Sequence, residues 1–158
     1  MPAPIRLALY EPDIAPNVGT ILRLAACFEL GVDIVEPCGF VWSEPKLRRA
    51  GMDYLDRVDL ARHTSWTRYM AEARPPRLVL LTTKGATPLP DFRFAPGDTL
   101  LLGRESAGVP DAVHDAADSR VVIPVAAGTR SLNVAIAAGI AAGEALRQLG
   151  AFPEQRTS

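Results

Sequence analysis

The sequence predicts an α/β fold built around one mainly parallel β-sheet. Short apolar segments typical of strands alternate along the chain with segments of helical periodicity. Two strand segments, Leu78–Thr82 and Thr99–Leu102, are apolar at most positions, as in strands buried on both faces of a sheet. The 158 residues contain no internal repeat and no long linker. We therefore expect a single domain over residues 1–152 and a short tail over residues 153–158.

The first half of the chain begins with a predicted strand over Ile5–Tyr10, which a loop containing two prolines follows. Asn17 is expected to cap a helix that continues to Leu30. Gly31 is expected to end that helix as its C′ residue, where glycine is common. A second strand, Val32–Val35, completes a strand–helix–strand unit.

The remaining elements continue the alternation of helices and strands. Thr64 or Ser65 is the expected N-cap of the predicted helix Ser65–Ala73, and Ser131 is a plausible N-cap of the predicted helix Leu132–Leu149. The predicted elements are a helical turn over Lys46–Ala50, helices over Ser65–Ala73, Pro110–Ala116 and Leu132–Leu149, and strands over Leu78–Thr82, Thr99–Leu102 and Val121–Ile123.

The charge of the chain does not indicate a nucleic-acid-binding protein. The formal net charge is −1 and the isoelectric point is near 6.1. The basic residues are nevertheless almost all arginine, since Lys46 and Lys84 are the two lysines. Arginine suits bidentate phosphate contacts and stacking on bases. A GC-rich genome, which favours arginine codons, explains the same bias without any function.

Several classes of protein are not supported by the sequence. Cys27 and Cys38 lack the spacing of a metal site or a redox pair, and Cys27 falls in a helical pattern where a buried thiol is expected. The two histidines are isolated, so no metal site is expected. The N-terminal segment lacks the pattern of a signal peptide. The uncharged run Ser131–Gly143 is too short to cross a bilayer. We therefore expect a cytoplasmic protein with no membrane partner.

Polar turns containing glycine or proline follow three of the predicted strands. They begin at Thr83, at Gly103 and at Pro124. If these strands are parallel neighbours, their turns meet at the carboxyl edge of the sheet, where α/β proteins bind ligands. Gly103 carries no side chain, so a flat ligand could approach the backbone there. A plain strand–turn–helix corner is the alternative, and neither a GxGxxG nor a GxxxxGK[ST] motif is present.

The last predicted helix is unusually rich in alanine and glycine. Gly139 and Gly143 lie inside it, and a glycine within a helix costs about 1 kcal/mol relative to alanine. This cost indicates a compensating close approach of another backbone, which a neighbouring helix, a loop of the same chain or a second subunit could provide. High-GC composition is the alternative explanation.

Three segments in this order resemble the three motifs of the SPOUT RNA methyltransferases, in the SpoU or TrmH-like branch. They are NVGTILRLAACF (Asn17–Phe28), LLGRESAGVP (Leu101–Pro110) and the segment from Ile123 to Gly150. Two further segments, Ile34–Tyr54 and Leu81–Gly85, are similar to the stand-alone members that methylate the ribose 2′-hydroxyl of the tRNA wobble nucleotide. The resemblance covers the chain to about Phe152.

The resemblance implies a parallel-sheet core with a deep C-terminal trefoil knot, a homodimer with its sites at the subunit interface, a tRNA substrate and S-adenosylmethionine as methyl donor. Arg23 matches the arginine to which catalysis is assigned, with an electrostatic role as the alternative. Asn17, Glu105 and Asn133 match the other polar motif positions. The implied cofactor-binding residues are Leu81, Thr82, Gly103, Ile123, Ser131 and Leu132.

A basic segment gives a candidate RNA-binding surface. Lys46, Arg48 and Arg49, with Arg57 and Arg62 nearby, could contact phosphates, as in RNA recognition by charge and shape. The alternative is a solvated basic turn, because three aspartates lie close in sequence. These are Asp53, Asp56 and Asp59.

Three positions depart from the pattern of the family. Ile136 stands where many relatives have a second asparagine, Gly143 where tyrosine is frequent, and Arg104 where proline is common. The departures leave the cofactor loops intact but bear on the RNA target. Methylation of ribosomal RNA, methylation of another tRNA position and a catalytically silent RNA-binding dimer are therefore the alternatives to wobble-nucleotide methylation.

Overall fold

The computed structural model describes residues 2–49, 55–84 and 86–154. Seven strands form one sheet, and five α-helices and two 3₁₀ turns, Leu55–Arg57 and Leu89–Asp91, connect them. The strands are β1 (Arg6–Tyr10), β2 (Gly31–Val35), β3 (Asp59–His63), β4 (Leu78–Leu81), β5 (Thr87–Pro88), β6 (Thr99–Leu102) and β7 (Ser119–Val122). The helices are α1 (Ala15–Phe28), α2 (Glu44–Arg49), α3 (Trp66–Ala73), α4 (Asp111–Ala116) and α5 (Val134–Leu149).

The sheet has the strand order β3-β2-β1-β6-β4-β7-β5, and every neighbouring pair is parallel. The predicted α/β class with a parallel sheet is therefore confirmed. The strands β6, β4 and β7 are adjacent, as expected for the three strands with polar turns. Their carboxyl ends consequently lie side by side at one edge of the sheet.

Helices cover both faces of this sheet. On one face, α1 and α5 pack against each other and against the strands, through buried side chains such as Ile21, Leu22 and Leu146. On the other face, Tyr69 of α3 and Val113 of α4 pack on a second apolar cluster. Five buried alanines allow α5 to lie close to the sheet: Ala135, Ala138, Ala141, Ala142 and Ala145.

Two strands were not predicted. β3 has the sequence DLARH, whose charged residues hide the alternation of a strand, and it tolerates them because it lies at the edge of the sheet. β5 has two residues and contains a proline, so no pattern identifies it. The other strands lie where the sequence predicts them, with ends shifted by at most two residues.

Three of the predicted helix ends need correction. α1 begins at Ala15, because Pro16 suits the first turn of a helix, so Asn17 is not its cap. Glu29, not Gly31, takes the left-handed conformation that ends α1, with φ 57°. Asn133, not Ser131, caps α5 by accepting hydrogen bonds from the amides of residues 135 and 136. Ser65 caps α3 as predicted.

Further differences concern burial and the short helix α2. Cys27 is exposed, since it faces away from the sheet on α1, so the expected buried thiol is wrong. The predicted turn Lys46–Ala50 is the helix α2, and Ala50 lies outside the described residues, as does most of the tail. Within the described ranges no helix is long and apolar enough to span a bilayer.

A buried ionic network joins the first three strands. The Nε atom of Arg6 donates to Asp33 Oδ2 at 2.8 Å, and Nε2 of His63 lies 2.9 Å from Asp33 Oδ1. The second ring nitrogen of His63 lies 2.8 Å from Glu72 Oε1 on α3. Asp33 is 2% exposed, so its charge depends on these partners. The network ties α3 and β1 to the centre of β2.

Candidate active site

A cavity of about 660 Å³ lies at the carboxyl edge of the sheet. The ends of β4, β6 and β7, and the beginning of α5, form its wall. The resemblance selected six residues as cofactor-binding, and all six line this one cavity. They are Leu81, Thr82, Gly103, Ile123, Ser131 and Leu132.

The wall combines apolar side chains with a few polar groups. Leu81, Ile123 and Leu132 provide apolar surface from three separate segments. Asp111 and His114 on α4 also line the cavity, and sequence reasoning missed both. Both residues could have been found from the sequence, because they lie on the helix that directly follows the Gly103 turn. Such a mixture of apolar walls and a small number of polar groups is typical of small-molecule sites.

Gly103 is required by the fold of its own loop. A Cβ atom at this position would lie 2.9 Å from the Cα and carbonyl carbon of Gly108. The loop closes on itself through two backbone hydrogen bonds between Arg104 and Gly108, of 3.1 and 2.9 Å, and Gly108 has φ 62°. Gly103 thus permits the approach of this loop's own backbone, where the sequence led us to expect the approach of a ligand.

Three predicted polar residues form one hydrogen-bonded chain at the rim of the cavity. Asn17 Nδ2 donates to Glu105 Oε1 at 2.6 Å, and Asn133 Nδ2 donates to Asn17 Oδ1 at 3.0 Å. Glu105 and Asn133 themselves line the cavity. Since Asn133 also caps α5, the chain joins α1, α5 and the loop after β6. The structure therefore brings together three of the four residues predicted to be catalytic.

Asp13 lies beside this chain and was not predicted. The hydroxyl of Ser106 donates to Asp13 Oδ2, which places the Asp13 carboxyl next to the loop that carries Glu105. Burial, followed by the nearby Asp13 carboxyl, raises the pKa of Glu105. The nearby Glu105 carboxyl, followed by the hydrogen bond from Ser106, lowers the pKa of Asp13. The position of Asp13 in the loop after β1, at the same edge of the sheet, was the available signal.

Comparison with known proteins identifies the family. The model of the SpoU rRNA Methylase family matches residues 4–143, which is most of the chain. The chain belongs to the SpoU rRNA methylase family.

Individual relatives cover nearly the whole chain. The tRNA (cytidine(34)-2′-O)-methyltransferase of Beijerinckia indica subsp. indica is 58% identical over 148 residues, which are 92% of this chain and 92% of that protein. The Escherichia coli K12 protein of the same name is 38% identical over 148 residues, covering 92% of this chain and 94% of that protein.

Solved structures agree with this assignment to the SpoU family. One that concerns the 2-OH methylation of C/U34 on tRNA has a TM-score of 0.85 and 41% identity, and covers 92% of this chain and 96% of its own. The SpoU methyltransferase AviRb from Streptomyces viridochromogenes, in complex with the cofactor AdoMet, has a TM-score of 0.80 and 28% identity. That match covers 94% of this chain and 62% of AviRb.

Arg23, the fourth predicted catalytic residue of this SpoU family member, lies apart from the cavity. It is exposed on α1 and does not line the cavity wall of its own chain. Its side chain makes no hydrogen bond or ion pair with another residue in the described part of the chain. Arg23 is thus accessible to a ligand or to a second protein chain.

The predicted RNA-binding residues lie on α2, away from the cavity wall of the SpoU domain. Lys46 is exposed, whereas Arg48 forms an ion pair of 2.7 Å with Asp56. Nearby, Arg62 pairs with Glu36 at 2.6 Å. The side chain of Arg49 lies outside the described residues. These ion pairs offset part of the positive charge that the sequence assigns to this surface.

Proposed function

We propose that this protein is an S-adenosylmethionine-dependent tRNA methyltransferase that methylates the ribose 2′-hydroxyl of cytidine or uridine 34. The observation that carries the proposal is the cavity in which all six motif residues meet. Support comes from the tRNA (cytidine(34)-2′-O)-methyltransferases that match this chain along nearly their whole length. The proposed enzyme is a single domain over residues 1–152, it acts in the cytoplasm, and no metal takes part.

The cavity fits S-adenosylmethionine. Its volume of about 660 Å³ lies in the range of sites for molecules of this size. Leu81, Ile123 and Leu132 would pack on the flat adenine, and the hydroxyl groups of Thr82 and Ser131 would bind polar edges of the cofactor. When bound, the cofactor supplies a methyl group made electrophilic by its sulfonium. No group of three or more His, Cys, Asp and Glu side chains that could hold a metal is present in the described part of the chain.

The protein residues would position the ribose and manage its proton. A ribose hydroxyl is a weak nucleophile, so alignment with the methyl group provides much of the rate. The rim chain of Asn17, Glu105 and Asn133 is rigid because each member is hydrogen-bonded to the next. Arg23 would act on the hydroxyl or on an adjacent RNA phosphate. Lys46, Arg48 and Arg49 would bind the tRNA backbone at a distance from the reaction.

A homodimer and a C-terminal trefoil knot are parts of the proposal. Apart from its chain neighbours and the backbone of its own helix, a Cβ atom at Gly139 or Gly143 would meet no atom of the described residues within 4 Å, so neither glycine serves packing against another described part of the protomer. Ile136 and Ile140 on the same helix are 55% and 43% exposed. A second protomer packing on α5 would bury this surface. The dimer would also bring the partner's Arg23 within reach of the cavity. The Arg23 of the same protomer does not line that cavity.

Replacing Gly139 with leucine is expected to convert the dimer into a folded monomer. The space around Gly139 accepts a leucine within one protomer but not against a closely packed partner. Light scattering gives the oligomeric state, and circular dichroism shows whether the variant is folded. Ala71→Leu, on the exposed face of α3, is the matched control and should remain a dimer. A Gly139→Leu variant that stays dimeric contradicts an interface through α5.

The activity is tested with labelled S-adenosylmethionine and total tRNA from cells that lack the wobble ribose methyl group. We expect label on the 2′-oxygen of nucleotide 34, located by nuclease digestion and mass spectrometry. Ribosomal RNA under the same conditions is the comparison substrate. Label on ribosomal RNA alone, or on another tRNA position, would overturn the proposed substrate. Cofactor binding without transfer to any RNA would indicate a silent RNA-binding dimer.

A further inference from the structure

The loop after β2 lies at the same edge of the sheet as the cavity. The amide of Gly39 in this loop donates to the carbonyl of Pro12 at 2.9 Å, and a Cβ atom at Gly39 would lie 2.7 Å from Asp13 Cβ. Ser106, in the loop after β6, donates in turn to Asp13 Oδ2. Residues 37–43 are therefore linked by direct contacts to the rim of the cavity, although they lie outside its wall.

This loop exposes an apolar side chain and contains no charged residue. Its sequence is PCGFVWS over residues 37–43. Val41 is 87% exposed, which is more than any other large apolar side chain in the described ranges. Phe40 and Trp42 on either side of it are partly buried against the core, so Val41 projects from a loop that its aromatic neighbours anchor. A single projecting side chain offers far less area than a stable protein interface buries.

Next to Val41, the indole of Trp42 stacks with the guanidinium of Arg62 from β3. The guanidinium carbon lies 4.8 Å from the centre of the indole. The Nη2 group of Arg62 donates to Glu36 Oε2 at 2.6 Å, so a carboxylate already offsets the charge of Arg62 and fixes its plane. The Arg62 side chain remains 39% exposed. Arg62 therefore offers a ligand a fixed planar surface more than a free positive charge.

Positive charge for an RNA backbone follows directly in the chain. α2 begins immediately after the loop, and its Lys46 side chain is exposed. The amide of Lys46 donates to Ser43 Oγ at 3.3 Å, which joins the helix to the end of the loop. Proteins that bind single-stranded RNA combine a basic surface for the phosphates with flat side chains on which unpaired bases stack. The loop after β2 and α2 provide both in one continuous segment.

We propose that Val41, Trp42 and Arg62 form a base platform, on which unpaired bases of the tRNA stack beside the nucleotide that is methylated. The inference rests on the proposed function and deepens it, because it assigns recognition of the anticodon loop to base stacking, while α2 binds phosphates. Arg62 stacks on a base from above Trp42, and Val41 packs against the same base or its neighbour. A base within a double helix cannot reach such a surface, because its faces are covered by the adjacent pairs. The base platform thus selects the unpaired loop over double-stranded RNA.

Binding of two RNA probes at one fixed salt concentration tests the base platform. One probe is an anticodon stem–loop, and the other is a fully paired RNA duplex with the same number of phosphates. Arg62→Lys keeps the charge but loses the plane, so it should weaken binding of the stem–loop about tenfold and leave binding of the duplex nearly unchanged. Lys46→Ala should weaken both probes by similar factors, because it removes a phosphate contact.

Arg68→Lys is the matched control for Arg62→Lys. Arg68 also pairs with a glutamate, Glu72 at 3.0 Å, but it lies on α3 outside the base platform. This variant should bind both probes as the wild type does. Equal losses for the two probes in Arg62→Lys overturn the base platform, as does a wild-type protein that binds the stem–loop no better than the duplex.

Val41→Ser tests the base platform at a position where folding is not at risk, because the side chain is 87% exposed. It removes apolar surface without changing the charge and should weaken the stem–loop about threefold and the duplex not at all. Light scattering on the same variant shows whether the loop serves a protein contact instead. A changed oligomeric state with unchanged stem–loop affinity overturns the base platform.

The base platform and the proposed function can fail separately, because the binding measurements need no methyl transfer. A protein that prefers the stem–loop through Arg62 and Val41 but methylates no nucleotide 34 contradicts the proposed function and supports the base platform. A protein that methylates nucleotide 34 with equal efficiency in wild type, Arg62→Lys and Val41→Ser, and binds the stem–loop equally in all three, supports the function and overturns the base platform.

Discussion

Replacing Arg23 with alanine is expected to reduce methyl transfer to tRNA by about 100-fold or more, the range of a group that assists proton transfer or stabilises developing charge. Cofactor affinity should change little, because Arg23 does not line the cavity of its own chain. Stability should also change little, because the side chain is exposed and has no partner among the described residues. Single-turnover transfer rates and calorimetric titration with S-adenosylmethionine measure the two effects separately.

Arg93→Ala is the matched control for this prediction. Arg93 is also an exposed arginine, and its contact within the chain is through its carbonyl, which accepts from Arg77. The control should retain the wild-type rate. That result would show that the loss of one positive charge does not by itself cause the lower rate of Arg23→Ala. Arg23→Lys keeps the charge but not the planar geometry, and partial activity in it would indicate a mainly electrostatic role. A fully active Arg23→Ala enzyme would exclude Arg23 from the reaction.

Replacing Asp33 with alanine is expected to lower the free energy of unfolding by about 3–5 kcal/mol, as for the removal of one partner from a buried ion pair. The change leaves His63 buried without its partner at 2.9 Å and removes the 2.8 Å contact of Arg6 Nε. Urea denaturation at a fixed protein concentration measures the loss, since the stability of the proposed dimer would depend on concentration. Asp56→Ala removes an exposed ion pair, with Arg48, and should have little effect.

The same network makes stability depend on pH. Burial lowers the pKa of His63, but its hydrogen bonds with Asp33 and Glu72 outweigh burial and raise the pKa above the ordinary 6.5. Both ring nitrogens can donate to carboxylates only in the protonated ring. The stabilisation is therefore complete below about pH 6.5 and is lost as the pH rises through the raised folded pKa. His63→Gln should abolish this decline, and an unchanged pH dependence would contradict the role of the imidazolium.

The sequence predicts which residues meet at the cavity better than it predicts the ends of the elements. The rule that parallel strands place their carboxyl-terminal turns at one edge was sufficient to bring Thr82, Gly103 and Ile123 together. Helix N-caps were harder to predict, because Asn17, Ser131 and Asn133 are all of residue types that commonly cap helices. The difference lies in tertiary contacts, since Asn17 is held by Glu105 and only Asn133 reaches the free amides of α5.

Two features could not be predicted because they arise from long-range contacts. The edge strand β3 is stabilised by its pairing with β2 and by the contacts of Asp59 with Arg6 and of His63 with Asp33, and its own charged side chains obscure its pattern. The hydrogen bond from Ser106 to Asp13 joins loops that are far apart in the chain, and no local pattern indicates it. The close contact of Gly103 with Gly108 in the same loop was also not predicted.

The position of β1 in the sheet has a consequence for synthesis of the chain. β1 leaves the ribosome before the other six strands of the described sheet, yet Arg6 lies opposite Thr99 of β6, which is made much later. Until then β1 pairs only with β2 and presents an open strand edge, a surface prone to wrong pairing. Contacts between such distant parts of a chain also slow folding. We therefore expect the nascent protein to complete its sheet late, with chaperones protecting the edge of β1 until β6 emerges.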